Sequence, residues 1–320
     1  MIEFVVLMGI VVCFSGILAL ALNFQWGLGG MVNFGLAGFY ALGAYSCALL
    51  MLKAGFNTFF GALGAMLIVG AVCGLVAFVT LRVTEEDYFA IVTLGVGEML
   101  RLVALNEDWL TKGALGLTGI PRPLNAWIPP TSYPYFMLAL SVVLVLACLW
   151  ALNRLSRAPF GRVVRAVRED DVVAATLGKN VLWARVRIFA IGGALIGLAG
   201  SLHAFYYQYI DPTQFSTIVI AYAFMAVIAG GRGAHLGTVA GAAVVMILLE
   251  GSRFAKELIA LEADQLAAIR IIIIGVGLIL LLIYRPNGFM REYRLQVPLK
   301  QSRPEPQSQP EPHTPKEATT

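Results

Sequence analysis

The sequence predicts an all-α membrane protein that crosses the bilayer with about 8 to 10 helices. Of its 320 residues, 59% are hydrophobic and 13% are charged, and the mean hydropathy is +0.79. Soluble domains are roughly 45–50% apolar and about 25% charged, so a soluble fold does not explain this composition. Uncharged runs close to the roughly 20 residues that a crossing helix needs recur along the chain. The bilayer is therefore the solvent for most of the sequence.

A hydropathy window of about 19 residues separates the apolar stretches. They cover residues 4–22, 34–52, 59–81, 88–105, 135–152, 186–206, 217–250 and 267–284. The seventh stretch is too long for one crossing, and the Gly-Gly-Arg-Gly run at 230–233 predicts a break that divides it into two shorter helices. This gives about nine membrane segments, and a re-entrant geometry stays open for one or two of them.

Lysine and arginine mark the cytoplasmic side, because short cytoplasmic loops carry the excess of positive charge. Two basic clusters stand out: Arg154, Arg157, Arg162, Arg165, Arg168, Lys179, Arg185 and Arg187, and then Arg285, Arg291, Arg294, Lys300, Arg303 and Lys316. With nine crossings and a cytoplasmic C-terminal end, the N-terminus lies outside. The stretch 106–134, whose basic residues are Lys112 and Arg122, then also lies outside. One re-entrant segment would reverse everything N-terminal to it.

We expect two regions, a transmembrane domain at 1–290 that includes a cytoplasmic loop at about 153–185, and a tail at 291–320. The tail is rich in Pro, Gln, Glu and Ser, so it cannot bury enough surface to fold and is expected to be disordered. The first apolar segment lacks a basic leader and an A-x-A cleavage site, and is expected to be a retained span. Small buried hydrophobes are the interpretation of the four cysteines, Cys13, Cys47, Cys73 and Cys148.

The sequence carries no recognisable catalytic machinery. A phosphate-binding GxxxxGK[ST] loop does not occur, since the Gly-Lys pair at 178–179 is followed by Asn180. The three histidines are far apart and form no metal-ligand pattern. We expect no catalytic residue, no metal site, no cofactor and no nucleic-acid partner, and place ATP and Mg²⁺ on partner subunits.

The charged loop holds the most informative segment, SRAPFGRVVRAVREDDVVAATLGKN at 156–180. From Phe160 to Leu177, small apolar residues can share one side of a short helix while charged residues occupy the other, and Gly178 is suited to end it. The apolar positions are Val163, Val164, Val167, Val172, Ala175 and Leu177. Such a helix suits a groove on a partner protein. The alternative is a helix lying on the inner leaflet, where the acidic run at 169–171 would be repelled by anionic lipids.

Six separated segments carry a family resemblance. They are EDYFAIVTLGVGEMLRLV (86–103), LTGIPRP (117–123), FGRVVRAVREDDVVAATLGKN (160–180), GLAGSLHAFYYQYIDPTQF (197–215), GGRGAHLGTVAGA (230–242) and IYRPNGF (283–289). Together they resemble the LivM-type permeases of branched-chain amino-acid ABC importers, over nearly everything except the tail. The resemblance implies a type II-like importer fold and a multi-pass permease subunit of the bacterial inner membrane, surrounded by lipid.

The implied partners are a second, LivH-like permease, two cytoplasmic ABC ATPase subunits and a periplasmic substrate-binding protein. The implied substrates are branched-chain amino acids. Urea, short amides and aromatic acids remain alternatives, because relatives in that family carry them.

In this resemblance, residues 160–178 are similar to the coupling helix that docks on an ATPase. The implied contacts are Arg165, Val167, Arg168, Glu169, Asp170, Asp171, Ala174, Ala175 and Gly178. The general permease signature has Glu-Ala-Ala with a glycine shortly after, and this sequence has Val173 at the acidic position.

Two ionisable residues, Glu98 and Arg101, lie in the apolar run IVTLGVGEMLRLVAL. Charges at such a depth cost about 2.5–3.5 kcal/mol each unless they are paired or hydrated. One interpretation places them beside the substrate path, where Asn33 is a further polar candidate. The other is a mutual i, i+3 pair or a bond to the partner permease.

Small residues at four-residue spacing predict close helix packing. They are Gly193 and Gly197, and then Gly233, Gly237 and Gly241. His203 and the neighbouring tyrosines are interpreted as an aromatic belt at the outer membrane interface, with substrate contact as the alternative.

A self-sufficient channel or secondary transporter is the alternative class of function. An ion-coupled carrier usually shows several convergent acids within its spans, whereas Glu98 is nearly alone here. A passive channel has no need of a charged docking loop.

Overall fold

A computed structural model describes residues 2–83, 86–125, 127–258 and 288–290, and the positions 272, 275–277, 279 and 283. The helices are α1 Ile2–Leu22, α2 Leu36–Leu52, α3 Thr58–Val83, α4 Glu86–Asn106, α5 Asp108–Thr111, α6 Tyr133–Arg157, α7 Pro159–Glu169, α8 Asp171–Thr176, α9 Val181–Tyr207, α10 Thr217–Gly230 and α11 His235–Leu258. The first helix continues without interruption as a π-helical turn, Asn23–Leu28.

Eight of these helices are apolar and of membrane type. Five are long enough to cross a bilayer, Glu3–Leu28, Thr58–Val83, Tyr88–Asn106, Tyr133–Arg157 and Val181–Tyr207, and three are shorter, Leu36–Leu52, Thr217–Gly230 and His235–Leu249. The all-α polytopic prediction is confirmed, as is the break at 230–233, where α10 ends and α11 begins four residues after Gly231. Most of the eighth predicted stretch, 267–284, and the predicted tail lie outside the described residues.

The centre of the bundle is formed by α2 and α9. Both are apolar on all sides and buried along most of their length, as expected for helices surrounded by other helices. The helices around them keep outward apolar faces, with exposed side chains such as Leu67 on α3, Ile91 on α4 and Trp150 on α6. In a membrane these faces meet lipid or a partner chain. Cys47, Cys73 and Cys148 are buried in the bundle, and Cys13 is partly buried.

Four of the five predicted packing glycines lie where helices approach each other closely. A Cβ atom on Gly193 would come 2.6 Å from the Cβ of Cys73, and one on Gly197 would come 2.7 Å from the carbonyl oxygen of Ala65, so α9 packs directly on α3. Similarly, Gly237 and Gly241 lie against the backbone of α10. At these four positions the absence of a side chain lets the helix backbones approach closely.

The prediction for Gly233 is wrong. This residue is not helical, because it lies in the turn between α10 and α11 with φ at +80°. A positive φ is easy for glycine and strained for other residues. Its backbone N–H donates to the side-chain oxygen of Asn23 at 2.8 Å, so Gly233 shapes a turn.

The two ends of the bundle differ in charge. One end holds the π-helical turn, α7, α8 and the start of α9, together with Arg82 and Arg232, and it therefore collects the whole basic cluster of residues 154–187. At the opposite end, Lys53 donates to the carbonyl of Trp109 at 2.8 Å, and a short antiparallel ladder pairs β1, Leu117–Thr118, with β2, Tyr209–Ile210. The positive-inside rule assigns the basic end to the cytoplasm.

The start of α1 and the segment 288–290 lie at opposite ends of the described bundle, as an odd number of crossings requires. The start of α1 lies at the less basic end, since Gly9 meets Leu138 near the start of α6 and Phe14 meets Tyr207 at the end of α9. The segment 288–290 returns to the basic end, where the N–H of Phe289 donates to the carbonyl of Ala229 at 2.9 Å.

Candidate functional site

The charged loop is mostly helical. Because α6 continues to Arg157 and α9 begins at Val181, the non-helical part is short. The prediction of one helix from Phe160 to Leu177 is wrong, since the chain is extended at Asp170, with φ −159° and ψ 109°. The carboxylate of Asp170 accepts the N–H of Val173 at 2.9 Å and caps α8. The acidic run is thus a helix junction.

The predicted stop at Gly178 agrees with the structure. The last helical residue of α8 is Thr176, and Gly178 has φ +74° with open space around its Cα. This is the left-handed residue that commonly ends a helix. Two residues later, the side chain of Asn180 accepts the N–H of Trp183 at 3.1 Å and caps α9.

The bend at Asp170 divides the apolar residues between two surfaces, so the prediction that they share one side is wrong. Val167 is 3% exposed and packs with Ala174 of α8 and Ala184 of α9. Val172 and Leu177 are instead 69% and 71% exposed. Val167 and Ala174, which the resemblance implies as ATPase contacts, are therefore buried within this chain, where they hold α7, α8 and α9 together.

The outward surface of α8 and of the residue that follows it is mostly apolar. Val172, Val173, Ala175 and Leu177 are all exposed, and we call these four residues the α8 patch. Val173 is the least exposed of the large ones, at 52%. Exposed charged residues lie directly beside the patch, with Glu169 and Asp170 before it and Lys179 after it. Exposed apolar patches of this kind mark surfaces that contact another protein or a membrane.

The charged residues of the segment mostly bond within the chain. Arg185 of α9 forms an ion pair with Asp171 at 3.4 Å. Arg165 donates to the carbonyl of Ser156 at 3.1 Å. Arg168 donates to the carbonyl of Gly27 in the π-helical turn. These contacts attach α7 and α8 to three membrane helices, α1, α6 and α9.

The attachment to α1 continues into the non-helical segment 29–35. Gln25 donates to the carbonyl of Phe189 on α9 at 3.0 Å and accepts from the Asn33 amide at 2.9 Å. The side-chain oxygen of Asn33 accepts the N–H of Gly35 at 3.0 Å. Non-helical backbone at membrane depth is tolerated where protein buries it, and these side chains satisfy it. Asn33 is itself fully buried.

Glu98 and Arg101 form a mutual pair, as one of the two interpretations predicts. Nη2 of Arg101 lies 2.5 Å from Oε1 of Glu98, and its Nε donates to both carboxylate oxygens. The side chain of Glu98 is 46% exposed and that of Arg101 is 24% exposed. The pair therefore lies on the face of α4 that points away from the helix bundle. Asn33 lies apart from it in the buried network described above, and a role beside the substrate path stays a prediction for all three.

Sequence reasoning missed a second buried network, around His235. Asn23 donates from Nδ2 to His235 Nδ1 at 3.3 Å, and the other ring nitrogen bonds to Ser156 Oγ at 2.8 Å. These residues are separated by 79 and 212 positions, so spacing could not bring them together. The available signal was a lone histidine directly after a glycine-rich break.

The interpretation of His203 as part of an interfacial aromatic belt is wrong. Its side chain is buried, with Nδ1 2.9 Å from the hydroxyl of Tyr40 and Nε2 2.9 Å from Oε1 of Gln214. The rings of Phe14, Phe215 and Tyr207 surround it. His203 therefore joins α1, α2 and α9 at the less basic end.

Comparisons with known proteins give matches over most of the chain. A family model described as branched-chain amino acid transport system / permease component matches residues 4–282. The high-affinity branched-chain amino acid transport system permease protein LivM of Salmonella typhimurium is 31% identical over 307 residues, which cover 89% of this chain and 69% of that protein. The protein of the same name from Escherichia coli has the same identity and coverage.

A second kind of relative also matches. The probable branched-chain amino acid transport permease protein LivH of Methanocaldococcus jannaschii is 25% identical over 245 residues, which cover 72% of this chain and 74% of that protein. No solved structure matches the chain, so the type II-like arrangement implied by the resemblance stays a prediction.

Proposed function

The chain belongs to the family of branched-chain amino acid transport permease components, and from this we propose that it forms half of the pathway of an ATP-driven importer for branched-chain amino acids in the bacterial inner membrane. It is a multi-pass membrane permease subunit. The energy of transport is supplied by two partner ATPases that bind ATP and Mg²⁺, and a periplasmic protein delivers the substrate.

The α8 patch is the observation that carries this proposal. It exposes Val172, Val173 and Leu177 at the basic end of the bundle, which is the side where cytoplasmic ATPases would be found. Its acidic and basic neighbours, Glu169 and Lys179, give the surface charged edges. An apolar centre with a polar rim is the usual composition of a protein interface, whereas a self-sufficient channel has no use for it.

A second permease completes the pathway. LivM and LivH relatives both match this chain, and two chains of similar fold can pair around a common axis. We place the α4 face with Glu98 and Arg101 towards that partner. Paired charges that are partly exposed would be unfavourable against lipid at this depth and favourable in a protein contact or a hydrated pathway.

Reconstitution tests the function. The chain is purified with a partner permease and ATPase subunits and placed in proteoliposomes, with ATP inside and the binding protein outside. We expect uptake of leucine or valine that requires both ATP and the binding protein. Uptake of urea, a short amide or phenylalanine in place of leucine would redirect the substrate assignment. Uptake by this chain alone, without ATP, would instead support a channel or a secondary transporter.

A further inference from the structure

Asn23 occupies an unusual place in the bundle. It is the first residue of the π-helical turn and is fully buried. Its side-chain oxygen accepts the N–H of Gly233 at 2.8 Å, and its side-chain nitrogen donates to Nδ1 of His235 at 3.3 Å. One amide thus bonds both to the turn 231–234 and to the first residue of α11.

The network extends from His235 to α6. With Nδ1 accepting from Asn23, Nε2 carries the proton and donates to Ser156 Oγ at 2.8 Å. Ser156 lies in the last turn of α6 and is buried, as is His235. We call Asn23, Ser156, Gly233 and His235 the Asn23 hub. It joins α1, α6 and the α10–α11 turn through buried polar contacts, which are favourable only when every partner is in place.

The hub is attached to α7 at two points. Arg168 donates to the carbonyl of Gly27, four residues after Asn23 in the same π-helical turn. Arg165 donates to the carbonyl of Ser156 itself at 3.1 Å. Each attachment ends on the backbone of a segment that carries a hub residue, so a displacement of α7 moves the hub.

The geometry around the hub favours small rearrangements. A π-helical turn is rare and is frequently found at functional sites. Gly231 and Gly233 in the opposing turn have φ of +102° and +80°, and a Cβ atom on Gly27 would come 2.6 Å from the nitrogen of Gly233. The two turns are therefore in close backbone contact at Gly27 and Gly233, beside the Asn23 side chain that bonds them.

We propose that the Asn23 hub is a positioning device that transmits displacement of α7 to the turn 231–234, about which α10 and α11 change their mutual angle. The proposal rests on the proposed function, because the displacing partner is the ATPase docked on the α8 patch. In this proposal, Asn23 and His235 are positioning residues. Their part is to make the movement of α10 and α11 follow that of α7.

Hydrogen–deuterium exchange of the assembled complex tests this relay. The complex is compared without nucleotide and after trapping with ATP and orthovanadate. In the wild type, we expect peptides covering 159–169 and 231–234 both to change their exchange on trapping. In Asn23→Ala, residues 159–169 should still respond, while the response at 231–234 falls at least about fivefold and leucine uptake per ATP hydrolysed falls about tenfold.

A matched control separates a relay from a loss of stability. Tyr40→Phe removes a hydrogen bond to the other buried histidine, His203, at the opposite end of the bundle. It should lower the melting temperature of the complex by a similar amount and leave the exchange response and uptake per ATP unchanged. Should Asn23→Ala fail to assemble, Ser156→Ala, which removes a single hub contact, takes its place. His235→Gln, which keeps a donor for Ser156, should retain more of the exchange response at 231–234 than Asn23→Ala does.

The outcomes are distinguishable. If trapping changes 159–169 and 231–234 equally in the wild type and in Asn23→Ala, the relay proposal is wrong while the proposed function stands. If trapping leaves 159–169 unchanged in the wild type, the ATPase does not displace α7 and the relay proposal is wrong, whereas the proposed function fails only if leucine uptake does not require ATP and the binding protein.

Discussion

The guanidinium of Arg168 on α7 donates a hydrogen bond to the main-chain carbonyl of Gly27 at the end of α1, from 141 positions away in the sequence. The acceptor lies in a π-helical turn, where the carbonyl is not needed for regular α-helical bonding. The stem of the same arginine fills the space beside Gly30, whose φ is +76°. A cytoplasmic helix is thus bonded to the backbone of the first membrane span.

Arg168→Ala should uncouple ATP hydrolysis from transport. The substitution removes a charge-assisted hydrogen bond worth about 1.5–3 kcal/mol and separates α7 from α1, while the α8 patch is unchanged. We expect the ATPase subunits to remain bound and hydrolysis to continue, with leucine uptake reduced about tenfold. Uptake and hydrolysis measured in the same proteoliposomes give the ratio.

Arg162→Ala is the matched control, since Arg162 is exposed on the same helix. It should leave the ratio of uptake to hydrolysis at the wild-type value. Equal ratios in both variants would mean that the bond to Gly27 has no part in coupling.

The ion pair on α4 predicts a non-additive pattern of substitutions. Glu98→Gln or Arg101→Gln leaves one charge unpaired inside the membrane, at a cost of about 2.5–3.5 kcal/mol, whereas the double substitution leaves none. We expect the double variant to assemble with the second permease better than either single variant. Yield of the purified heterodimer measures this. A double variant that assembles normally but does not transport would indicate a place beside the substrate path.

Gly178 is predicted to tolerate asparagine better than alanine. Its φ of +74° costs an L-residue about 1–2 kcal/mol, and asparagine adopts this conformation more readily. Because no atom lies within 4 Å of the added Cβ, the difference comes from the backbone alone. Gly178→Ala should lower the melting temperature of the complex by a few degrees, and Gly178→Asn by less. Equal shifts would argue against a left-handed residue here.

The membrane architecture could be predicted from the sequence because hydropathy determines it almost directly. The break at 230–233 was predicted because a run of glycines cannot favour a continuous helix, and α10 and α11 are separated there. The error at Gly233 arose from spacing, since a four-residue repeat does not reveal whether every member is helical. Gly233 instead lies in a turn, and its N–H bonds to Asn23, a residue distant in the sequence.

The sequence predicts that the cytoplasmic segment is helical and partly apolar, but it does not predict that the segment divides into two helices. Helical periodicity from Phe160 to Leu177 favoured one helix, but Asp170 caps the helix that follows it, and local capping overrides periodicity. The bend buries Val167 and exposes Val172. No pattern within the segment could indicate this division, because it depends on packing of α7 against α9.

Charged substitutions of Val167 are expected to lower the thermal stability of the complex. Because it is 3% exposed and packs with Ala174 and Ala184, Val167→Glu places an unpaired charge in the interior and should destabilise the complex by about 3 kcal/mol. Thermal unfolding measures the effect, and Val167→Ile, which keeps an apolar side chain, is the control. An unchanged melting temperature for Val167→Glu would mean that the residue is accessible.

Association of the ATPase subunits tests the central claim most directly. Val173→Glu combined with Leu177→Glu places two charges on the exposed α8 patch, where neither side chain is buried. Leu115→Glu is the control, since it adds a charge to an exposed leucine at the opposite, less basic end of the bundle. The complex is purified through a tag on this chain, and ATPase subunits are counted per permease. We expect the double variant to keep the wild-type amount of folded permease and lose ATPase subunits about tenfold. A double variant that retains both ATPase subunits and their stimulation by the loaded binding protein would contradict docking at the α8 patch.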